Sequence, residues 1–146
     1  MNRRVIAMIV RNCAGGVVFW GDQVFLLKND KGEWVLPKGV IREKRMPAEV
    51  ALERVKTEAG VSAQIVSTAG DTNYEFYSLT RRQPVCNRIH WYVMRAENDK
   101  YRIAFELGFT DGDFFPIEQA METITYSQDR SLVSVAYQKY KELDLA

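Results

Sequence analysis

Apolar residues near the start of the chain come in short runs separated by turn-forming residues, which is the pattern of β-strands. The runs CAGGVVFW and QVFLL lie within residues 12–27, and a Gly-Asp pair separates them, so we predict a β-hairpin. A turn-forming segment at 29–32 follows. The sequence EWVLP then predicts a short strand that ends at Pro37, because proline cannot donate a hydrogen bond to a sheet. The chain therefore leaves the sheet as it reaches Lys38 and Gly39.

A helical period replaces the strand pattern between Pro47 and Gly60. Proline suits the first turn of a helix, and glycine suits the position after its last residue. Apolar residues recur between them at steps of three and four, as one face of a helix requires. They are Ala48, Ala51, Leu52, Val55 and Ala59. Met46 is a poor N-cap, because its side chain cannot accept the free backbone N–H groups.

Beyond Gly60 the pattern returns to strands and then ends in helices. Four runs mix branched and aromatic residues over strand length, at 62–70, 73–80, 87–96 and 100–107, with a loop at 81–84. We predict a short helix over 117–123 and a longer one over 127–143. The expected inner face of the longer helix comprises Leu132, Val135, Ala136, Tyr140 and Leu143. The order of elements predicts an α+β fold, with helices packed on a mixed sheet.

Length and charge limit the classes of function. The 146 residues suit one domain spanning 1–146, and a net charge of +1 gives no reason to expect DNA or an anionic membrane as the main partner. No helix-turn-helix segment remains outside this domain. Met1–Val10 pairs two arginines with an apolar run too short for a signal peptide or a membrane span. We interpret it as a first strand and expect a cytoplasmic protein.

The residues that most often bind zinc are scarce. Cys13 and Cys86 lack the C-x-x-C spacing of a zinc or redox site, so we expect two buried free thiols. His90 is the only histidine, which excludes any mechanism that needs two. A metal site in this chain would therefore have to use oxygen ligands.

The segment LPKGVIREKRMPAEVALERVKTEAGV resembles the Nudix box, G-x5-E-x7-R-E-U-x-E-E-x-G-U, where U is a bulky apolar residue. Gly39, Val55, Glu58, Gly60 and Val61 match the first glycine, the first U, the last glutamate, the final glycine and the closing U. Further segments resemble the subgroup that hydrolyses diadenosine polyphosphates. They are Ala14-Gly15-Gly16, WVLPKG, NRIHWYVM, DFFPIEQAMETITY and DRSLVSVAY.

The resemblance implies a Nudix-type α/β/α sandwich whose box helix packs on a mixed sheet together with a C-terminal helix. It also implies a hydrolase that uses Mg²⁺ or Mn²⁺ and water to cut a nucleoside diphosphate linked to another group, such as a dinucleoside polyphosphate. Such hard cations take oxygen ligands. Glu58 and Gly39 are the metal-binding positions that the resemblance implies, and Glu58 is the implied catalytic residue.

Three positions of the box depart from the family pattern. Arg45 replaces the first glutamate, Thr57 replaces another, and the usual Arg-Glu pair is reversed to Glu53-Arg54. At about 100° per residue, position 53 lies about 140° from position 58, so Glu53 cannot take over the place of a ligand there.

Arg54 lies one turn before Glu58, and we expect the two to form an ion pair. A fixed positive charge would then occupy the place of a divalent ion. A carboxylate from outside the helix could compensate, and Glu106, at the end of a predicted strand, is the first candidate for a second catalytic residue. Glu53 is expected to pair with a nearby lysine or arginine.

Several residues are candidates for substrate binding. Lys38, Arg42 and Arg45, with Lys44, form a basic loop that either is simply solvated or binds phosphate. Arg81 could add to it. His90 lies in a strand that matches a histidine-containing strand of the polyphosphate subgroup, so it is either structural or a substrate contact. Tyr74 is a candidate base-stacking ring, with core packing as the alternative.

Two hypotheses remain open at this level. The first is a divergent metal-dependent hydrolase with Glu58 and Glu106 as its catalytic residues. The second is a Nudix scaffold that has lost efficient catalysis and binds a nucleotide or polyphosphate through positive charge alone. The two differ in whether ligand binding survives the removal of metal.

Overall fold

The computed structural model describes residues 7–143. In chain order the strands and helices are β1 (Ile9–Trp20), β2 (Gln23–Lys28), β3 (Trp34–Val35), β4 (Lys38–Val40), α1 (Pro47–Ala59), β5 (Ala63–Ser78), β6 (Gln83–Ala96), β7 (Asp111–Pro116), α2 (Ile117–Thr123) and α3 (Ser127–Glu142). A 3-10 turn, Phe105–Leu107, precedes β7. No helix within 7–143 is long and apolar enough to cross a membrane.

The strands form a mixed sheet with the order β3-β2-β1-β6-β5, to which β4 adds by pairing with β1 and β7 by pairing with β2. β1 runs parallel to β6 over Ile9–Phe19, and the remaining pairs are antiparallel. β1 also changes partner along its length. Cys13 to Gly15 pair with β4, and Phe19 and Trp20 pair with β2. This change places β4 and the loop before α1 against the middle of the sheet.

Two apolar clusters cover the two faces of the sheet. One joins α1 to residues such as Val18 and Met94, and the other joins α2 and α3 to residues such as Trp91 and Ile124. Alternate residues of β1 and β6 face opposite clusters, as the period of two requires. The predicted α+β fold, an α/β/α sandwich with a mixed sheet, is confirmed.

The helix predicted between Pro47 and Gly60 is also confirmed. Gly60 ends α1 in the left-handed region, with φ of 67°, and a Cβ at that position would lie 2.6 Å from the backbone nitrogen of Arg102. Only glycine satisfies both constraints. Met46 makes no side-chain cap, as expected. The hairpin of β1 and β2 and the two C-terminal helices are present where the pattern predicts them.

Other predicted elements are wrong or incomplete. The runs 62–70 and 73–80 form one strand, β5, whose pairing with β6 shifts register between Ile65 and Ser67 and again between Thr68 and Gly70. The loop predicted at 81–84 is shorter, because β6 begins at Gln83. β4 and β7 were not predicted as strands. Of Met1–Val10, the first six residues lie outside the described part of the chain, and β1 begins at Ile9.

The strand predicted over 100–107 is absent for a physical reason. The backbone of this segment instead forms hydrogen bonds to the C-terminal end of α1. Arg102 N donates to Ala59 O at 2.8 Å, and Ala104 N donates to Glu58 O at 3.0 Å. The last carbonyls of a helix need such partners. These donors are therefore not available to a sheet.

Burial refines two further predictions. Val135 of α3 and Leu143, which follows α3, are exposed, while Val133 and Tyr137 of α3 pack toward the sheet. Cys13 and Cys86 are buried free thiols, as predicted, and burial raises the pKa of Cys13.

Candidate functional site

Gly39 brings β4 into direct contact with α1. It pairs with Ala14 of β1, and a Cβ built on it would lie 2.6 Å from Cδ and 2.8 Å from Nε of Arg54. The absence of a side chain at position 39 therefore leaves room for the arginine stem. Sequence reasoning identified Gly39 as a possible metal contact, and in the structure its nearest neighbour is a cationic side chain.

Arg54 and Glu58 form the predicted ion pair on α1. Nε of Arg54 donates to Oε2 of Glu58 at 2.8 Å, and Nη2 lies 2.7 Å from the same oxygen. The Glu58 side chain is only 5% exposed, whereas that of Arg54 is 31% exposed. Burial raises the pKa of Glu58, and the hydrogen bond and charge of Arg54, followed by the charge and backbone N–H of Lys38, oppose that rise. The pair is thus more buried than its spacing alone implied.

The other helix carboxylates are paired away from this position. Glu53 lies 2.5 Å from Nη2 of Arg45, and Glu49 lies 3.9 Å from Nε of the same arginine. The pairing expected for Glu53 is therefore present. Arg45, a predicted phosphate-binding residue, is paired with two glutamates of α1.

The donor set around Glu58 does not fit a divalent ion. Among residues 7–143, no group of three or more His, Cys, Asp or Glu side chains is arranged to hold a metal. Mg²⁺ and Mn²⁺ need several oxygen ligands, and the Glu58 carboxylate is already bound by a guanidinium. The residues present therefore do not fit the Mg²⁺ or Mn²⁺ that the family resemblance implies.

Glu106 lies on the 3-10 turn after β6 and not at a strand end. It lines a cleft of about 360 Å³ at the C-terminal end of α1, together with Lys56, Thr57 and Arg102. The Glu58 side chain does not line this cleft. The structure thus places the two catalytic candidates in different surroundings.

A second, larger cavity of about 380 Å³ lies between the sheet and the start of α3. β5 contributes Thr72 and Tyr74, β6 contributes Ile89 and Trp91, and the loop between β2 and β3 adds polar residues. The remaining lining residues are Val35, Lys38, Tyr126, Ser127, Gln128 and Asp129. Sequence reasoning missed the cavity, since its walls come from segments far apart in the chain.

Lys38 links this cavity to the Arg54–Glu58 pair. It lines the cavity, and its charge acts to lower the pKa of both Glu58 and Asp129. Asp129 nevertheless has a raised pKa, because burial dominates. Of the predicted substrate-binding cations, Lys38 is therefore the one that both lines the cavity and acts on Glu58 of α1.

Glu33, on the cavity wall, is held by its neighbours. Tyr126 donates its hydroxyl to Oε2 of Glu33, and Nδ2 of Asn29 lies 3.0 Å from Oε1. Both hydrogen bonds lower the pKa of Glu33, and the one from Tyr126 has the larger effect. The hydrogen bond between Tyr126 and Glu33 also raises the pKa of Tyr126 to about 12. Both side chains are thereby fixed at the wall of the cavity.

Trp91 forms a buried part of the wall. Its indole Nε1 donates to Oγ1 of Thr72 at 2.8 Å, and the side chain is almost fully buried. Tyr74 remains 46% exposed, and its ring stacks on Phe76 with centroids 5.3 Å apart. The candidate stacking ring therefore faces the same cavity as the tryptophan.

The remaining candidates lie elsewhere. Arg42 is exposed in the loop before α1, and Arg81 is exposed in the turn between β5 and β6. His90 is directed away from the cavity, since its neighbours Ile89 and Trp91 line it. Its Nδ1 lies 2.6 Å from Oδ1 of Asp71. The cavity thus includes Lys38 and Tyr74 of the predicted substrate-binding residues.

Comparison with known proteins identifies the fold and the family. The MutT protein of Methanosarcina mazei Go1 superposes with a TM-score of 0.71 at 14% identity, covering 94% of this chain and 99% of that one. A Caenorhabditis elegans Ap4A hydrolase gives 0.66 at 15% identity, covering 90% and 98%. An ADP-ribose pyrophosphatase of Streptococcus suis gives 0.68 at 14% identity, covering 89% and 91%.

These identities are low, so the superpositions show a shared fold and not a shared substrate. The sequence itself matches the family model described as NUDIX domain over residues 1–135. The match includes the β4 and α1 segment that holds Gly39, Arg54 and Glu58. The chain therefore belongs to the NUDIX domain family.

Proposed function

We propose that the chain binds a nucleoside diphosphate linked to another group, dinucleoside polyphosphates included, and that it does so without a divalent metal. The position of Lys38 carries the proposal. This lysine lines the cavity of about 380 Å³ and acts electrostatically on Glu58, which is bound to Arg54. One ligand could therefore contact the cavity and the cationic side chains at once.

The charges suggest how such a ligand lies. Three acidic residues and two lysines line the cavity, so it is not a phosphate pocket in itself. Its aromatic residues suit a nucleoside, because flat rings stack on bases. The phosphates then lie toward Lys38 and Arg54. Arg54 uses at most two of its five N–H donors on Glu58 and is partly exposed, so it can also bind an anion.

Arg54 also explains why metal is not required. A guanidinium supplies a permanent positive charge and directional donors for phosphate. It lies against Gly39, the position that the family resemblance assigns to metal. In the proposed site, the side chain of Arg54 therefore supplies the positive charge that a metal ion would otherwise provide.

Isothermal titration calorimetry with a non-hydrolysable dinucleoside polyphosphate tests the proposal. We expect binding in EDTA that weakens as salt is added, because screening reduces charge attraction. Lys38→Gln should weaken binding at least tenfold, about 1.4 kcal/mol. Lys56→Gln, outside the cavity, serves as the matched control and should bind normally. An absence of binding, or binding that appears only with Mg²⁺ or Mn²⁺, contradicts the proposal.

Hydrolysis of the same ligand is the second candidate, because Glu58 is buried and stands at its family position. Since the residues present do not fit Mg²⁺ or Mn²⁺, this candidate requires the ion to bind together with the substrate. This candidate predicts release of phosphate products with Mg²⁺ or Mn²⁺, lost in Glu58→Gln and reduced in Glu106→Gln. Unchanged substrate after long incubation at high protein concentration would rule it out. A cytoplasmic location fits either candidate.

A further inference from the structure

Asp129 is a carboxylate of the cavity that neither candidate function uses. It is the third residue of α3, lies half-buried, and lines the cavity beside Tyr126 and Gln128. Within residues 7–143, its carboxylate forms no ion pair within 4.0 Å and accepts no hydrogen bond. Its two oxygens are thus available to a molecule in the cavity.

Several neighbouring donors are already bound to other acceptors. Nη1 of Arg130 lies 2.7 Å from Ile124 O, and the hydroxyl of Tyr126 is bonded to Glu33. Nδ2 of Asn29 is bonded to the same glutamate. Lys38 influences Asp129 by charge without forming an ion pair with it. Asp129 accepts no hydrogen bond from these groups, so a ligand that supplies N–H groups would add hydrogen bonds that the described residues do not make.

The aromatic residues of the cavity limit what such a ligand is. The indole N–H of Trp91 is bonded to Thr72 and its side chain is only 1% exposed, so Trp91 forms part of the buried wall and offers no free donor. Tyr74 offers a partly exposed ring. A flat ring with N–H groups on one edge matches both this ring surface and the carboxylate. A nucleobase has this chemistry, which agrees with the proposed function.

We propose that Asp129 makes the cavity selective for a guanine-type base. An ionised carboxylate only accepts hydrogen bonds and has two oxygens side by side. The base-pairing edge of guanine presents two adjacent donors, the ring N–H and the exocyclic amino group. On the same edge, adenine and cytosine place a donor beside an acceptor, which matches an amide and not a carboxylate. This selectivity rests on the proposed function, because it assumes a nucleotide in the cavity.

Calorimetry with the α,β-methylene analogues of GDP and ADP, both in EDTA, tests the assignment. Wild-type protein should bind the guanine analogue at least tenfold more tightly. Asp129→Asn should reverse the preference, because the amide offers one donor and one acceptor to adenine. Asp129→Ala should remove the preference. Asp99→Asn removes the same charge at an exposed position outside the cavity and should leave the preference unchanged.

The outcomes separate this inference from the proposed function. If the wild-type protein binds both analogues equally, or if Asp129→Asn weakens both by the same factor, Asp129 does not select the base and the proposed function stands. If the wild-type protein binds neither analogue nor the dinucleoside polyphosphate, both proposals are overturned. Thermal unfolding of Asp129→Asn, a nearly isosteric change, verifies that the variant is folded.

Discussion

The aliphatic stem of Arg54 lies against the Cα of Gly39, and its guanidinium binds Glu58 one helical turn away. This contact joins β4 to α1 through a charged side chain and not through apolar packing. Because Glu58 is buried, the position of the arginine also determines whether a buried carboxylate has a partner. The geometry of Gly39 and the electrostatics of Glu58 therefore depend on each other.

Gly39→Ala should destabilise the fold by about 1–3 kcal/mol, the range for adding a methyl group where there is no room. The new Cβ would lie 2.6 Å from Cδ of Arg54, which would have to move away from Glu58. Chemical denaturation measures the free energy of unfolding. A double-mutant cycle provides the control, because Gly39→Ala should cost much less in an Arg54→Ala background. An equal cost in both backgrounds would show that the contact with Arg54 is not the cause.

Short-range features of the chain predicted α1 and its ion pair. The apolar period, Pro47 and Gly60 all act within a few residues, and Arg54 and Glu58 are four residues apart, so one helix brings them together. What the spacing did not reveal is the burial of Glu58. Lys38 of β4 acts on this carboxylate through its charge and its backbone N–H, and the sequence pattern did not predict β4 as a strand.

The cavity depends on contacts between distant segments. Thr72 and Trp91 are 19 residues apart, and Glu33 and Tyr126 are 93 apart. Sequence periodicity carries no information about which segments meet at such separations. The carboxylate of Asp129 could be recognised as part of the cavity only once the walls of the cavity were known.

The Tyr126–Glu33 hydrogen bond should make Tyr126 a tyrosine that loses its proton late. The bond raises its pKa to about 12, so in Glu33→Gln its titration should return toward about 10. NMR of ¹³Cζ-labelled tyrosine, with Tyr126→Phe to assign the signal, measures this. Titration of Tyr126 near 10 in the wild-type protein would contradict the bond.

The same shift affects stability at high pH. Between the unfolded pKa, about 10, and the folded pKa, the folded state holds the Tyr126 proton that the unfolded state has lost. The free energy of unfolding therefore falls as the pH rises through this window, and stability from this group is fully present below it. Tyr126→Phe should reduce the steepness of that fall. The comparison of the two proteins removes the contributions of other tyrosines.

Thr72→Val should destabilise the fold by about 1–3 kcal/mol, the cost of leaving a buried donor without a partner. The substitution keeps the shape of the side chain and removes the acceptor for the indole N–H of Trp91. Denaturant unfolding and tryptophan fluorescence would report the change. In a Trp91→Phe background the donor is absent, so the further cost of Thr72→Val should be small. A full cost in both backgrounds would mean that valine is unfavourable for reasons other than the hydrogen bond.

Arg54→Glu should convert this region from one that excludes a divalent ion into one that binds it. The substitution removes the guanidinium next to Gly39 and places a second carboxylate one turn before Glu58, on the same face of α1. We expect Mn²⁺ to bind the variant at least tenfold more tightly than the wild-type protein, about 1.4 kcal/mol. Electron paramagnetic resonance of free Mn²⁺ measures binding without any nucleotide. Because a bound ion stabilises the folded state, Mn²⁺ should also raise the Tm of the variant and leave that of the wild-type protein unchanged.

Lys56→Glu makes the same change of charge at an exposed position of α1 and controls for nonspecific attraction. If Lys56→Glu and Arg54→Glu gain equal Mn²⁺ affinity, or if the wild-type protein already binds the ion as tightly, then Arg54 is not what keeps the metal out.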